Sequence, residues 1–325
     1  MAIPVLLMAF NRAEPTRQVC EAIRVAQPTK VYVACDGPRA QKPSDAESCS
    51  AVRRLVSDFD FGCKKELNFQ GQNLGCRGGV AAAIKWFFGR EEEGAVLEDD
   101  IVPDPAFLPF CEALLDRYRR DTRIWSIAGI NPVESATSRI EGDYFYSRYF
   151  EVWGWASWRS RWSNYDSKMA NWPRERARFR VGSGLTSRLQ TPHFRHLLDA
   201  TYSGLVDTWD YQRIYEQIAG GGLSVVPKHW LVKNIGFSKD ATHTTRPPQW
   251  LSEPRGWTPH AVPRGPEEAI SIEEWDYLIG RVRYGAVFSR YVKNSVRRYV
   301  LRLRGRANIP GTNPDVEFGM TNDPE

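Results

Sequence analysis

The sequence lacks any apolar run close to the roughly 20 residues that a membrane-spanning helix requires. Its opening apolar run, from Pro4 to Phe10, is short and is preceded by no basic segment. No small-residue cleavage pattern follows this run, which argues against a secretory signal. We therefore expect the protein to be made and kept in the cytosol, with peripheral contact as its only association with a membrane.

The cysteine pattern excludes the usual zinc-binding motifs. None of the six cysteines belongs to a CxxC pair, and no spacing of cysteine and histidine suits zinc. All six lie in the first third of the chain, at Cys20, Cys35, Cys49, Cys63, Cys76 and Cys111. We expect reduced thiols with mainly structural roles.

The common nucleotide-binding fingerprints are also missing. The pair Gly78 and Gly79 has neither GxxxxGK nor GxGxxG spacing, which argues against an NTPase and a dehydrogenase. A sugar-nucleotidyltransferase usually opens with a glycine-rich loop, and residues 4–14 contain no glycine. This argues against that class without excluding it. The formal charge is only +5 and no nucleic-acid fold signature is present, so we expect no nucleic-acid partner.

The first part of the chain alternates strand and helix patterns. Apolar runs predict strands at residues 3–10, 30–35, 65–69 and 94–97, and helical periodicity predicts helices at 16–26, through Ala51, Leu55 and Val56, and at 80–88. A turn is expected at residues 72–79. This alternation predicts an α/β fold with a mostly parallel central sheet flanked by helices.

Beyond about residue 130 the sequence becomes rich in Trp, Tyr and Arg, which indicates a second half packed on the first. We predict one domain over residues 1–245, with halves at 1–130 and 131–245, for which the family resemblance given below implies nucleotide-sugar binding and acceptor binding, respectively. A proline-rich connector at 246–270 and a basic helical tail at 271–325 would follow.

The acidic triplet Glu98-Asp99-Asp100 directly follows the fourth predicted strand. Adjacent carboxylates at a strand end repel each other unless a cation or hydrogen-bond donors compensate them. Mg²⁺ and Mn²⁺ prefer oxygen ligands and commonly combine one or two carboxylates with substrate phosphates. Asp100 is the first candidate for a direct metal ligand, and Asp99 would face the ribose or the metal's water shell. The alternative is an acidic cluster at the start of a helix.

Several short segments, taken in order, resemble a known family. Residues 8–12, 34–37, 73–75 and 96–100 resemble the successive donor-site elements of GT-A glycosyltransferases. The form Glu-Asp-Asp is similar to the DxD motif of the N-acetylglucosaminyltransferase I family. The likeness continues through residues 153–162, 208–210, 224–227 and 234–237, so that it covers residues 3–245.

The resemblance implies a GT-A fold and a metal-dependent, inverting sugar transfer. Mn²⁺ or Mg²⁺ would be the cofactor, a UDP-sugar such as UDP-N-acetylglucosamine the donor, and a glycan or lipid-linked molecule the acceptor. Asp210 is carried over as the base that takes the acceptor's hydroxyl proton, with Asp207 as the near alternative. Asp210 could instead be a structural carboxylate that pairs with Arg213.

The same resemblance assigns residues around the donor nucleotide. Asp36 matches an aspartate that accepts a hydrogen bond from uracil, and Phe10, Asn11 and Arg12 would line the base and the ribose. Asn73 belongs to the same donor-site series. Asn11 has an equally good alternative as the N-terminal cap of the first helix.

Two further residues are candidates for binding phosphate or metal. Arg77 follows a glycine-containing turn that opens a helix, where backbone N–H groups and a guanidinium can both meet phosphate. The alternative is a surface arginine. His243 lies where many GT-A enzymes supply a late metal or phosphate ligand from a loop.

The aromatic segment and the tail leave two questions open. Trp153, Trp155, Trp158 and Trp162 offer apolar faces to sugars, but we expect most of them in the core and one or two at a ligand. A non-catalytic carbohydrate-binding protein would use them without a metal. The basic amphipathic stretch at 281–306 could lie on an anionic membrane surface, or it could be a packed helix with a solvated arginine face.

Overall fold

The computed structural model describes residues 3–137, 140–237 and 247–286. In the first half, strands alternate with helices. The elements are β1 (Val5–Ala9), α1 (Ala13–Ala26), β2 (Lys30–Cys35), α2 (Ser44–Asp58), β3 (Lys64–Phe69), α3 (Gly75–Phe88), β4 (Glu93–Glu98), β5 (Ile101–Pro103), α4 (Phe107–Tyr118) and β6 (Ile124–Ala128).

The second half is less regular. Its elements are β7 (Tyr144–Ser147), β8 (Trp155–Trp158), α5 (Arg159–Trp162), α6 (Trp172–Glu175), α7 (Gly184–Tyr202), α8 (Asp210–Ala219), β9 (Leu223–Pro227), β10 (Val232–Asn234) and α9 (Glu273–Tyr284). No helix among the described residues combines the length and apolarity needed to cross a membrane. All six cysteines are free thiols.

One large sheet of eight strands has the order β3-β2-β1-β4-β8-β6-β9-β7. The four strands at the β3 end are parallel, β8 runs antiparallel to both β4 and β6, and β7 runs antiparallel to β9. The predicted α/β class is confirmed, although the sheet is mixed. The antiparallel strands lie in the aromatic half. Strands and helices no longer alternate strictly there, so the helical crossovers that connect parallel strands are missing between some of the strands.

The central strands are buried on both faces. Every residue of β1 is buried, and its side chains alternate between the two sides of the sheet. Val5 and Leu7 pack in one core cluster with α1, α2 and α4, whereas Leu6 and Met8 pack in the other with α3, α7, α8 and α9. A continuous apolar run is the expected sequence for such a strand.

The last helix among the described residues, α9, is anchored beside β7 by an ion pair whose carboxylate is buried. The fully buried carboxylate of Asp276 accepts hydrogen bonds from Ser147 Oγ at 2.7 Å and from Arg148 Nε at 2.6 Å. The connector that precedes α9 has no helix or strand over residues 247–272, yet Trp250 and Trp257 pack against the core. The rest of the basic tail, from residue 287 onward, lies outside the described residues, as does its predicted membrane contact.

The anchor predicts a large stability difference between two aspartates. Asp276→Asn should lower the free energy of unfolding by about 2 kcal/mol, because Arg148 would lose the buried one of its two carboxylate partners and keep only the partly exposed Glu273. Asp116→Asn is the control, since the side chain of Asp116 is 76% exposed in its ion pair with Arg119. We expect this control to change stability by less than about 0.5 kcal/mol. Urea unfolding measures both, and equal losses would contradict the anchor.

Candidate functional site

The carboxyl ends of three adjacent parallel strands meet at one edge of the sheet. Met8 of β1 lies beside Ala34 of β2 and Glu98 of β4 in the strand register. The loops that follow these strands carry Arg12, Asp36 and the acidic triplet. The sheet topology therefore brings the donor-site candidates of the first half together, at the edge where open α/β sheets bind ligands.

The acidic triplet forms a turn between two strands. Glu98 ends β4, and Asp99 and Asp100 lead into β5, so the alternative of a helix-start cluster is wrong. Nη2 of Arg12 contacts Asp99 Oδ1 and lies 2.9 Å from Asp100 Oδ2. The second oxygen of Asp99, Oδ2, is buried and has no hydrogen-bond partner within the described part of the chain. We call Arg12, Glu98, Asp99 and Asp100 the acidic corner.

Burial and mutual repulsion perturb the acidic corner. Burial raises the pKa of Glu98 to about 8, and the charges of Asp100 and Asp99 add to this rise. Burial also raises the pKa of Asp99 to about 6, while the Arg12 guanidinium opposes that shift. For Arg12, burial disfavours the charge, but the two carboxylates raise its pKa overall. The corner is therefore short of positive charge even with Arg12 in place.

The segment after β10 closes over Asp100. Strand β10 pairs antiparallel with β5, and the backbone N–H of Ile235 donates to the carbonyl oxygen of Asp100 at 2.9 Å. A Cβ atom on Gly236 would lie 1.9 Å from Asp100 Oδ2. Only a glycine allows the chain to pass this close to the carboxylate.

The acidic corner fits a divalent cation that takes most of its ligands from substrate and water. Within the described residues, no group of three or more His, Cys, Asp and Glu side chains is arranged to hold a metal. Two neighbouring carboxylates and the unpaired Asp99 Oδ2 nevertheless provide the oxygen ligands that Mg²⁺ and Mn²⁺ use together with phosphates. His243 lies outside the described residues, and its predicted role stays a prediction.

Asp36 and Asn73 organise the turn that precedes α3. Asp36 accepts hydrogen bonds from Asn73 Nδ2 at 2.9 Å and from the backbone N–H groups of Leu74 and Gly37 at 2.9 and 2.8 Å. Burial raises the pKa of Asp36, and these N–H groups counter part of that rise. Asp36 and Asn73 lie at the edge where the carboxyl ends of the parallel strands meet. Their contact with a nucleotide base stays a prediction.

Asn11 does not cap the first helix. The N-cap position of α1 is Arg12, and no side chain caps it. Asn11 Nδ2 donates instead to Asp45 Oδ1 at 3.0 Å. Arg39 completes this cluster, because its Nε lies 2.5 Å from Asp45 Oδ2 and its guanidinium lies 5.2 Å from the centre of the Phe10 ring. The alternative of Asn11 as a cap is therefore wrong.

Sequence reasoning missed Arg39 and Asp45. They come from the loop after β2 and the start of α2, and no local motif marks them. The hydrogen bonds from Arg39, and then from Asn11, lower the pKa of Asp45 to about 2. Through these contacts, Arg39 and Asp45 fix Phe10 and Asn11 at the edge of the sheet where the carboxyl ends of β1, β2 and β4 meet.

Arg77 and Asp207 join the start of α3 to the segment that precedes α8. The carboxylate of Asp207 accepts from the backbone N–H groups of Cys76 and Arg77, both at 3.2 Å, at the first turn of α3. Arg77 Nη2 in turn donates to the carbonyl oxygens of Val206 at 2.6 Å and Thr201 at 2.8 Å. An anion at a helix N-terminus is stabilised by the exposed N–H groups and the helix dipole. In this structure both side chains hold the two halves together, and their predicted roles toward phosphate and acceptor stay predictions.

Asp210 begins α8, in the second half. Its Oδ1 contacts Thr208 Oγ1 and accepts from the backbone N–H of Tyr211 at 2.9 Å. Its charge contributes to the raised pKa of both Glu98 and Glu151. Asp210 is thus within electrostatic range of both carboxylates.

Arg213, which the sequence offers as a partner for Asp210, has other contacts. It forms an ion pair with Glu216 at 3.6 Å and donates to the carbonyl oxygen of Arg161 at 2.7 Å. Its guanidinium lies 4.3 Å from the centre of the Trp162 ring. Burial lowers the pKa of Arg213 to about 10. Arg213 is a core residue of the aromatic half.

The four tryptophans of the aromatic segment divide as expected. Trp155, Trp158 and Trp162 are buried in the core, which confirms that most of them are structural. Trp153 is half-buried and stacks on Trp250, with ring centres 5.2 Å apart. Trp153 is therefore the one of the four that is placed to contact a ligand, and that contact stays a prediction.

Comparisons with known proteins leave the family open. No protein-family model matches the chain, and no curated protein matches it. Among solved structures, HddC from Yersinia pseudotuberculosis has 10% identity and a TM-score of 0.29, over 49% of this chain and 78% of that one. A UDP-glucose pyrophosphorylase complexed with UDP-glucose has 14% identity and a TM-score of 0.26, over 45% of this chain and 63% of that one. The chain thus spans under two thirds of that pyrophosphorylase, and likenesses this weak carry no functional argument.

The Asp45 cluster predicts an acid-dependent contribution to stability. A pKa of about 2, below the ordinary value of 3.8, means that folding favours the ionised carboxylate. This contribution is present above the ordinary pKa and is lost as the pH falls through about 2. Asp45→Asn should therefore lower the free energy of unfolding by about 1–3 kcal/mol at neutral pH, with a smaller difference near the folded-state pKa.

Urea unfolding at several pH values measures this difference. Asp58→Asn is the matched control, because Asp58 is an exposed residue of the same helix. A constant gap between Asp45→Asn and wild type at every pH would refute the ionised cluster.

Proposed function

We propose that this chain is a metal-dependent, inverting glycosyltransferase that moves a sugar from a UDP-sugar to a hydroxyl group of a glycan or lipid-linked acceptor. One observation carries the proposal. Two carboxylates with unmet need for positive charge lie at the ligand-binding edge of the sheet, and a third carboxylate, Asp210, approaches them from the aromatic half. The carboxylate pair would serve the donor diphosphate through a metal ion, and Asp210 would serve the acceptor hydroxyl.

The acidic corner would bind the donor diphosphate. Asp99 and Asp100 would hold Mn²⁺ or Mg²⁺, which supplies positive charge that stabilises the diphosphate leaving group. Arg12 already lies on both carboxylates and would share its guanidinium donors with phosphate oxygens. The nucleoside would extend toward Phe10, Asn11 and Asp36, along the ends of β1 and β2.

Asp210 would act on the acceptor. Its carboxylate takes the proton of the acceptor hydroxyl as that oxygen attacks the anomeric carbon. The new bond forms on the face opposite the leaving group, the bond from the anomeric carbon to the diphosphate oxygen breaks, and its electron pair leaves with UDP. The configuration at the anomeric carbon is inverted, and Asp207 stays the alternative base.

Two substitutions should separate donor binding from transfer. Asp100→Ala should weaken Mn²⁺-dependent binding of the UDP-sugar by at least about tenfold, because it removes a charged ligand from the acidic corner. Asp210→Asn should bind the donor normally and lower the transfer rate by about 10²–10⁴-fold, because an amide cannot accept the proton. Calorimetry with a panel of nucleotide sugars and Mn²⁺ measures binding, and UDP release measures transfer.

The exposed Asp116→Asn serves as control and should match wild type in both measurements. Normal turnover by both site variants would refute the site. Release of pyrophosphate from UTP and a sugar 1-phosphate would identify a sugar-nucleotidyltransferase instead. Sugar binding that survives both substitutions and needs no metal would favour a non-catalytic carbohydrate-binding protein.

A glycine substitution tests the geometry of the corner without changing its charge. Gly236→Ala should displace the Asp100 carboxylate, because the added Cβ would lie 1.9 Å from Oδ2. We expect Mn²⁺-dependent donor binding to weaken by about tenfold. Gly71→Ala is the control, since a Cβ there meets no atom within 4 Å. Equal donor affinity in the two variants, measured by calorimetry, would contradict the contact with Asp100.

A further inference from the structure

Helix α9 and the connector before it bring two residues to the acceptor side of the site. Arg283 of α9 and Trp250 of the connector meet Glu151 and Trp153, which lie between β7 and β8. Phe150, which precedes Glu151, and Trp209, which precedes Asp210, have ring centres 6.0 Å apart, so the group lies on the side of the fold that carries the proposed base. The charge of Asp210 accordingly acts on both Arg283 and Glu151. We call Glu151, Trp153, Trp250 and Arg283 the Arg283 cluster.

Glu151 is fully buried with half of its hydrogen-bonding capacity unused. Its Oε2 accepts from Arg283 Nε at 3.3 Å, and its Oε1 has no partner in the described ranges of the chain. Burial raises the pKa of Glu151 to about 7, and Arg283 opposes this shift. A buried carboxylate oxygen without a partner costs stability, which sets Glu151 apart from an ordinary structural carboxylate.

Arg283 has donors to spare. A guanidinium carries five N–H groups, and within residues 3–137, 140–237 and 247–286 the hydrogen bond to Glu151 is the one that Arg283 makes. Its side chain is 10% exposed. The guanidinium lies 4.8 Å from the centre of the Trp153 ring and 5.1 Å from that of Trp250. The remaining donors have no hydrogen-bond partner among the described residues and lie beside two half-buried aromatic rings.

The cluster is held in place by its neighbours. Tyr284, which follows Arg283, donates from Oη to the carbonyl oxygen of Phe150 at 3.0 Å, and Phe150 precedes Glu151. The buried Asp276 fixes the same helix to β7. Arg283 is therefore presented to the site by a rigid element, which suits a binding residue better than a loop position would.

The chemistry of the cluster matches an uncharged sugar. The charges of Glu151 and Arg283 cancel, and the neighbouring Asp210 repels an anion. A sugar hydroxyl oxygen can accept from the spare guanidinium donors, while the buried Glu151 holds Arg283 in place. The tryptophans add apolar rings for the C–H groups of a pyranose.

We propose that the Arg283 cluster is the subsite for the acceptor sugar, an uncharged pyranose whose hydroxyl groups bind Arg283 beside Asp210. This inference rests on the proposed function and extends it. Arg283 contacts the sugar, and Glu151 positions Arg283. Both Trp250 and Arg283 lie beyond residue 245, so the active site includes the part of the chain that follows the region of family likeness.

Direct binding of simple glycosides tests the subsite. The probes are the p-nitrophenyl glycosides of glucose, galactose and N-acetylglucosamine, with p-nitrophenyl glucuronide as the anionic counterpart, titrated by calorimetry in the presence of UDP and Mn²⁺. We expect at least one neutral glycoside to bind more tightly than the glucuronide. Arg283→Met should weaken that binding by at least about tenfold, whereas Arg281→Met, at an exposed position of the same helix, should leave it unchanged.

A second readout separates acceptor binding from structural damage. Binding of the UDP-sugar with Mn²⁺ needs the acidic corner but not the acceptor subsite, so Arg283→Met should retain the wild-type donor affinity in calorimetry. A parallel loss of donor binding and glycoside binding would make Arg283 merely structural and overturn the proposal. So would unchanged glycoside binding in Arg283→Met, or the failure of every neutral glycoside to bind wild type.

Two further variants keep the test valid if Arg283→Met does not fold. The double variant Arg283→Met with Glu151→Gln removes the pair without leaving a buried charge, and Trp250→Leu removes an aromatic ring without changing charge. Both should weaken glycoside binding and retain donor binding, and wild-type glycoside affinity in both would overturn the proposal. Absence of UDP release by wild type with every donor would refute the proposed function, whereas the calorimetric titrations decide the subsite independently.

Discussion

The contact of Arg12 with Asp99 and Asp100 is the interaction on which the acidic corner depends. Parallel strands end at one edge, and the turn after β4 leaves two carboxylates side by side there. Without a cation these charges would repel each other in a buried site. Arg12 supplies that charge from the loop after β1, yet Asp99 Oδ2 stays unpaired among the described residues. Arg12 thus compensates the two carboxylates only in part, and the proposed metal ion would supply the remaining positive charge.

The strands of the first half could be predicted because their burial is continuous. The boundaries of β2 agree with its apolar run, and β1 and β4 differ from theirs by one or two residues. Helix α3 was harder, since it begins at Gly75 inside the predicted turn. Gly75 has a positive φ of 74°, and Asp207, far away in sequence, satisfies the next N–H groups. A helix start that depends on a distant carboxylate leaves no local signal.

The site divides in the same way. Residues that follow a strand, such as Asp36 and the acidic triplet, could be located from the sequence because the topology fixes where strand ends meet. Arg39, Asp45, Glu151 and Arg283 could not, since each owes its place to a tertiary contact with no characteristic spacing. The same limit applies to Arg77. Its position after a glycine turn suggested a phosphate ligand, whereas its guanidinium binds two backbone carbonyls of the second half.

The distribution of charge links these two halves. The carboxylates of Glu98, Asp210 and Glu151 act on one another in sequence, with Arg12 beside the first and Arg283 beside the last. Each cation comes from a different end of the chain, one from the loop after β1 and the other from α9. Burial and neighbouring carboxylates disfavour the ionised forms of Glu98 and Glu151, and Arg12 opposes this shift at Glu98 as Arg283 does at Glu151. In the proposed function, Asp210 would take the acceptor's proton near these two carboxylates, while a metal ion at the acidic corner would neutralise the charge of the donor.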